Sequence, residues 1–151
     1  MITHRYDDMK KHKEFKIATY NVFFCPKIPL LKLFMQPKFR FEYQINKMFP
    51  KLDQDIYCLQ EVTPHFLEIL NKSDFSNTYQ ISKYESSRRN FPLIISKIPF
   101  EDILVRDRTI YALFKWEGVN FIVVNAHLNT LGWNPPMRRL EVQRINKNLN
   151  M

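Results

Sequence analysis

Asp55-Ile56-Tyr57-Cys58-Leu59-Gln60-Glu61-Val62 is an apolar run, rich in β-branched and aromatic residues, that finishes on a Gln-Glu pair. Its length and content predict a buried strand from Asp55 to Glu61. A buried strand seldom ends on a carboxylate unless something offsets the desolvation, and a hard cation such as Mg²⁺ does so through oxygen ligands. Glu61 is therefore a candidate metal ligand. The alternative is a strand that leaves the core and meets water at Gln60.

Three further segments share this form, an apolar β-type run delivering a polar side chain at or near its end. Phe15 to Val22 alternates into Asn21, Pro92 to Lys97 ends on Ser96-Lys97, and Val119 to Leu128 delivers Asn125 and His127. Several strand ends converging on one polar cluster is the arrangement open α/β sheets use at ligand sites. Taken singly, each residue has a plainer explanation: Asn21 as a turn cap, His127 as a hydrogen-bonded structural histidine.

The segments TYN (19–21), DIYCLQEV (55–62), PLIISKIPF (92–100) and VVNAHL (123–128), in that order, resemble the endonuclease/exonuclease/phosphatase superfamily of Mg²⁺-dependent phosphodiesterases. The longer stretches LQEVTPHFLEIL (59–70) and HLNT (127–130), followed by an Arg-rich helix carrying Gln143, are most similar to its 5′-tyrosyl-DNA phosphodiesterase branch. Sphingomyelinase-like members share much of this pattern. The resemblance runs from Phe15 to Leu149 and implies an α/β fold, the N-terminal part of a DNase I-like two-sheet sandwich, a mixed sheet with flanking helices. It implies Mg²⁺ (or Mn²⁺) held by Glu61, an Asn21 that orients Glu61, a metal-bound water or a nearby carboxylate, and a His127 that hydrogen-bonds the scissile phosphate. Asn125 and Asn129 are implied as supporting amides, and Lys97 as a residue facing phosphate.

The superfamily's second half supplies an Asp-x-Asn strand end and a late Asp-His pair, and neither pattern occurs in these 151 residues. The chain is therefore expected to be the N-terminal portion of such a domain, residues 15–151 after a charged leader, Met1 to Glu14. It is expected to supply mainly one sheet, whose inner face lacks a partner, and to be inactive in isolation. The family's glycine before the "IISK" strand is replaced by Asn90-Phe91-Pro92, which alters the turn but not the strand.

A net charge of +8 with a pI near 9.5 points to an anionic partner. Basic clusters interleave with Phe34, Phe39, Phe41 and Tyr43, a composition that can hold phosphates and stack on bases. A generally lysine-rich chain with solvated charge faces would give the same numbers. Hydrophobic residues make up 45% of the chain, which excludes a disordered segment. Its two cysteines, Cys25 and Cys58, form no Cys-x-x-Cys and indicate neither a disulfide framework nor a zinc site. The polar start shows no signal peptide, and no apolar stretch is long enough to span a membrane, so an intracellular, cytoplasmic or nuclear, setting is expected.

One domain without repeats is predicted. After the strand at Phe15 to Val22 and a loop from Pro26 to Pro37, a helix from Phe39 to Met48 shows apolar spacing at Phe41, Ile45 and Phe49. The Asp55 to Glu61 strand passes into a helix to Leu70, with Thr63 as N-cap and Pro64 at the first helical position. Strands follow at Tyr79 to Ser82, Leu93 to Lys97, Ile103 to Arg106, Ile110 to Trp116 and Val119 to Ala126, the last two joined by a Glu117-Gly118 hairpin. A final helix runs from Pro135-Pro136 to Asn148. Two classes of function fit: part of a Mg²⁺ phosphodiesterase acting on nucleic-acid ends, or a non-enzymatic remnant that binds nucleic acid through its basic surface. A lipid phosphodiesterase of sphingomyelinase type stands behind them.

Overall fold

The structure is a computed structural model that describes residues 14–22, 37–84, 90–106, 108–128 and 135–149. The leader and the Pro26 to Pro37 loop, apart from the last residue of each, lie outside the described residues, as does Asn129. The strands are β1 (Ile17–Asn21), β2 (Ile56–Val62), β3 (Gln80–Ile81), β4 (Phe91–Ser96), β5 (Phe100–Arg106), β6 (Thr109–Trp116) and β7 (Val119–Ala126). The helices are α1 (Pro37–Tyr43), α2 (Phe49–Leu52), α3 (Pro64–Asn71) and α4 (Pro135–Leu149). A wider turn, Gln44–Met48, joins α1 to α2, and a 3-10 turn, Asp74–Asn77, follows α3.

Two sheets form. One is four-stranded in the order β1-β2-β4-β3, with β1 and β2 parallel and β4 antiparallel to both of its neighbours. The other is the antiparallel meander β5-β6-β7. The expectation that this chain supplies mainly one sheet with an unpartnered inner face is thus corrected. The reason is local: Ile103 and Val105, then Ile110, Ala112 and Phe114, then Phe121 and Val123, line one face of a hairpin-connected meander and pack on Ile56, Cys58 and Ile94 of the first sheet. The hairpin between β6 and β7 closes through Glu117 (φ 49°) and Gly118 (φ 82°), the left-handed pair that a two-residue turn of matching twist requires.

β2 and β4 are buried on both faces, which is why their sequences are continuously apolar rather than alternating. Tyr57, Leu59, Leu93 and Ile95 face the helix layer, where Phe41, Ile45 and Phe49 meet Phe66, Leu67 and Leu70. Thr63 caps α3 by accepting from the Phe66 N–H at 3.1 Å, with Pro64 next in line. Ahead of β1, Phe15 stacks on Phe121 at 4.7 Å between ring centres and ties the two sheets together. Cys58 lies inside this packing, and burial pushes its thiol up to about 11, so it remains a neutral core residue.

Candidate functional site

Parallel β1 and β2 end at the same edge of the first sheet, and β7 ends above them. Asn21 is the last residue of β1 and pairs with Gln60, so the Asn21 and Glu61 side chains emerge beside each other. The ladder between β2 and β4 breaks here. Leu59 pairs with Leu93 and Val62 with Phe91, leaving Gln60 and Glu61 opposite the single residue Pro92. Pro92 has no N–H for the ladder, and a bulge at this point re-aims the β2 side chains.

Glu61 consequently adopts a left-handed backbone, φ 55°. For a residue with a Cβ this costs about 1–2 kcal/mol, and such outliers concentrate at functional sites. The bend brings its carboxylate to the other candidates. Asn21 Nδ2 donates to Glu61 Oε1 at 3.0 Å, and His127 Nε2 lies 3.6 Å from the same oxygen. Glu61 and His127 are each 19% exposed, recessed but open to a ligand.

Asn125 plays a different part from the two residues flanking the cleft. It continues the inward face of β7 after Phe121 and Val123 and is almost fully buried. Its Nδ2 donates to the carbonyls of Leu59 (2.8 Å) and Leu93 (2.9 Å), and its Oδ1 accepts from Gln60 Nε2 at 2.8 Å. The broken ladder is therefore satisfied from the facing sheet, as a buried polar group requires. Gln60 continues the Ile56-Cys58 face of β2, and its Nε2 is also within hydrogen-bond distance of Thr19 Oγ1 and the Cys58 carbonyl. This clamp fixes the bulge, and with it Glu61, against the strand that carries His127. The spacing of Gln60 in step with Ile56 and Cys58 was the sequence signal for it.

Lys97 does not join this cluster. Because β4 runs antiparallel to β2, Ser96 pairs with Ile56 and Lys97 sits at the opposite end of the sheet. There its ammonium pairs with Asp53 at 2.6 Å and lies over the Tyr79 ring, which holds the lysine above and Asp53 below their ordinary ranges. Ser96 closes the neighbouring turn, bonding the carbonyl and N–H of Ile98. A residue that the sequence did not single out takes the cationic position near Glu61. Arg108, in the turn between β5 and β6 with φ 62°, lines a small cleft with Glu61, His127, Asn90, Phe91 and Pro92. In the sequence it was one of several arginines, and only the turn places it.

Among the described residues no group of three or more histidine, cysteine or carboxylate side chains gathers that could cage a metal. The donors present are hard oxygens: the Glu61 carboxylate and the amide of Asn21 that holds it. That set fits Mg²⁺, which keeps several waters and is bound through one or two carboxylates together with substrate phosphate oxygens. Zinc needs three or four His, Cys or carboxylate ligands together, and no such group gathers among the described residues.

No family model matches this chain, and no curated protein matches it. Solved structures do. TDP2 (tyrosyl-DNA phosphodiesterase 2) from C. elegans superposes with a TM-score of 0.64 at 16% identity, covering 90% of this chain and 42% of that one. TDP2 from D. rerio complexed with a single-strand DNA product gives 0.61 at 17% identity, covering 87% and 52%. A functionally unknown conserved protein from Enterococcus faecalis V583 gives 0.69 at 22% identity, covering 90% and 61%. The chain thus spans roughly half the length of these structures. The likeness establishes the fold, a DNase I-like two-sheet α/β sandwich present in part.

Proposed function

We propose that this chain forms part of a Mg²⁺-dependent phosphodiesterase site acting on nucleic-acid ends, of the 5′-tyrosyl-DNA type. The observation that carries the proposal is the left-handed Glu61, whose one carboxylate oxygen is approached by Asn21 from β1 and by His127, the residue just past β7. Backbone strain of this kind concentrates at functional sites, and here it is directed so that three strand ends meet. The TDP2-like fold and the basic composition support the substrate class.

Glu61 would hold the cation, with Asn21 fixing the orientation of its carboxylate. Bound there, Mg²⁺ would neutralise charge on phosphoryl oxygens. His127 donates to a phosphate oxygen from its recessed position, and Arg108 adds positive charge to the same cleft. A water-activating carboxylate is still needed, and Asp-x-Asn and Asp-His segments would supply it from a complementing portion of the domain.

The test is hydrolysis of a 5′-tyrosyl oligonucleotide with Mg²⁺, by the chain alone and with a polypeptide carrying the complementing motifs. No turnover above background is expected from the 151 residues alone. With the complement, Glu61→Gln and His127→Ala should each reduce the rate by about a hundred- to a thousandfold. Turnover by the chain alone that survives Glu61→Gln contradicts the proposal. Salt-sensitive oligonucleotide binding, with no activity under any complementation, favours the non-enzymatic binding module instead.

A further inference from the structure

We propose that the cavity between α4 and the turn joining β5 to β6 is a phosphodiester pocket, seating a backbone phosphate of the nucleic-acid strand whose neighbouring phosphate lies at Glu61. This rests on the function proposed above and extends it to a second point of contact. The cavity has a volume of about 200 Å³, and Arg108, Thr109, Tyr111, Glu141, Arg144 and Asn148 are among its lining residues. That is room for roughly six waters, enough for a partly hydrated phosphate. His127 and Arg108 line both this cavity and the cleft at Glu61, so the two adjoin.

The walls are chemically ordered. Arg106 Nη1 donates to Asn148 Oδ1 at 3.3 Å, and Asn148 Nδ2 donates to the Tyr111 hydroxyl at 3.1 Å. Tyr111 is nearly buried, and because its oxygen accepts from Asn148, its own proton remains to be donated. Among the described residues neither Arg108 nor Arg144 has a carboxylate within ion-pairing distance, although Glu141 lines the same cavity. Arg108 and Arg144 outnumber the one carboxylate on these walls, and the Arg106 guanidinium behind Asn148 adds to the positive charge, so the cavity suits an anionic phosphodiester. Arg108 reaches this position through a left-handed backbone, as Glu61 does in the adjoining cleft.

Two probes test the pocket in the whole chain. Dimethyl phosphate, followed by NMR, should shift the Arg144 Nε–H and the Asn148 side-chain amide, and Arg144→Ala should abolish the Asn148 shift. A single-stranded DNA oligonucleotide should bind with a log K against log salt slope that Arg144→Ala makes shallower by about 0.7, the loss of one phosphate contact. Lys72→Ala, on the far helix layer, should leave the slope unchanged. Oligonucleotide binding whose slope is the same in Arg144→Ala, or dimethyl phosphate that moves neither signal, overturns the pocket alone. Failure of the unaltered chain to bind the oligonucleotide overturns the nucleic-acid function and this proposal with it.

Discussion

Glu61 carries the strain of this site. Its φ of 55° lies where glycine is at ease and a side chain is not, and Pro92 opposite it removes the N–H that a regular ladder would use. If the backbone there is set by the bulge and the clamp rather than by the glutamate, then removing the carboxylate should leave the conformation in place. Glu61→Gly should accordingly be more stable than Glu61→Ala by about 1 kcal/mol in urea unfolding, since only alanine retains the Cβ penalty. Equal stabilities would mean that the bend relaxes once the carboxylate is gone. Asn125 shows what residue types alone leave open. An asparagine two residues before His127 was legible as an amide near the site, but not as the donor pair that satisfies Leu59 and Leu93 across the sheets.

At the scale of elements, the strand ends were readable because each apolar run terminates on its polar residue, and β1, β2 and β7 run toward the same edge. Lys97 shows where such inference stops. Its strand also ends on a polar pair, but strand direction depends on sheet order, which an isolated sequence does not reveal, and the antiparallel β4 delivers it to the other end. There it holds Asp53, the left-handed residue that ends α2. Lys97 lowers the Asp53 carboxylate below its ordinary 3.8, so the pair's stabilising contribution is present above that value and is lost as pH falls through the depressed one. Asp53 in turn raises Lys97 above 10.5, so on the alkaline side the contribution is lost only as pH rises through that raised value. Urea midpoints measured below pH 4 should therefore fall more steeply for the parent chain than for Asp53→Asn, with a difference that shrinks in high salt because Asp53 is well exposed. Parallel acid limbs would show that the pair contributes nothing measurable.

For the molecule as a whole, the two-sheet sandwich arises from features that differ in how far they can be read along the chain. The doubly buried β2 and β4, the Thr63 cap and the Glu117-Gly118 turn are local and were legible. The folding of β5, β6 and β7 into a second, facing sheet depends on contacts such as Phe15 on Phe121, more than a hundred positions apart, whereas the sequence led to the two-sheet class but to an expectation of mainly one sheet from this chain. The same long-range closure places His127 on Glu61 and brings Arg108 beside them. Among the described residues no helix is long and apolar enough to cross a membrane. The central claim is that Asn21, Glu61 and His127 form one cation-accepting cleft. Paramagnetic broadening by Mn²⁺ tests it most directly. Signals of the Asn21 side-chain amide and the His127 ring should broaden first, those of Tyr79 and Lys97 at the opposite sheet end should not, and Glu61→Gln should remove the effect while the rest of the spectrum is unchanged. Broadening centred elsewhere, or persisting undiminished in Glu61→Gln, would contradict it.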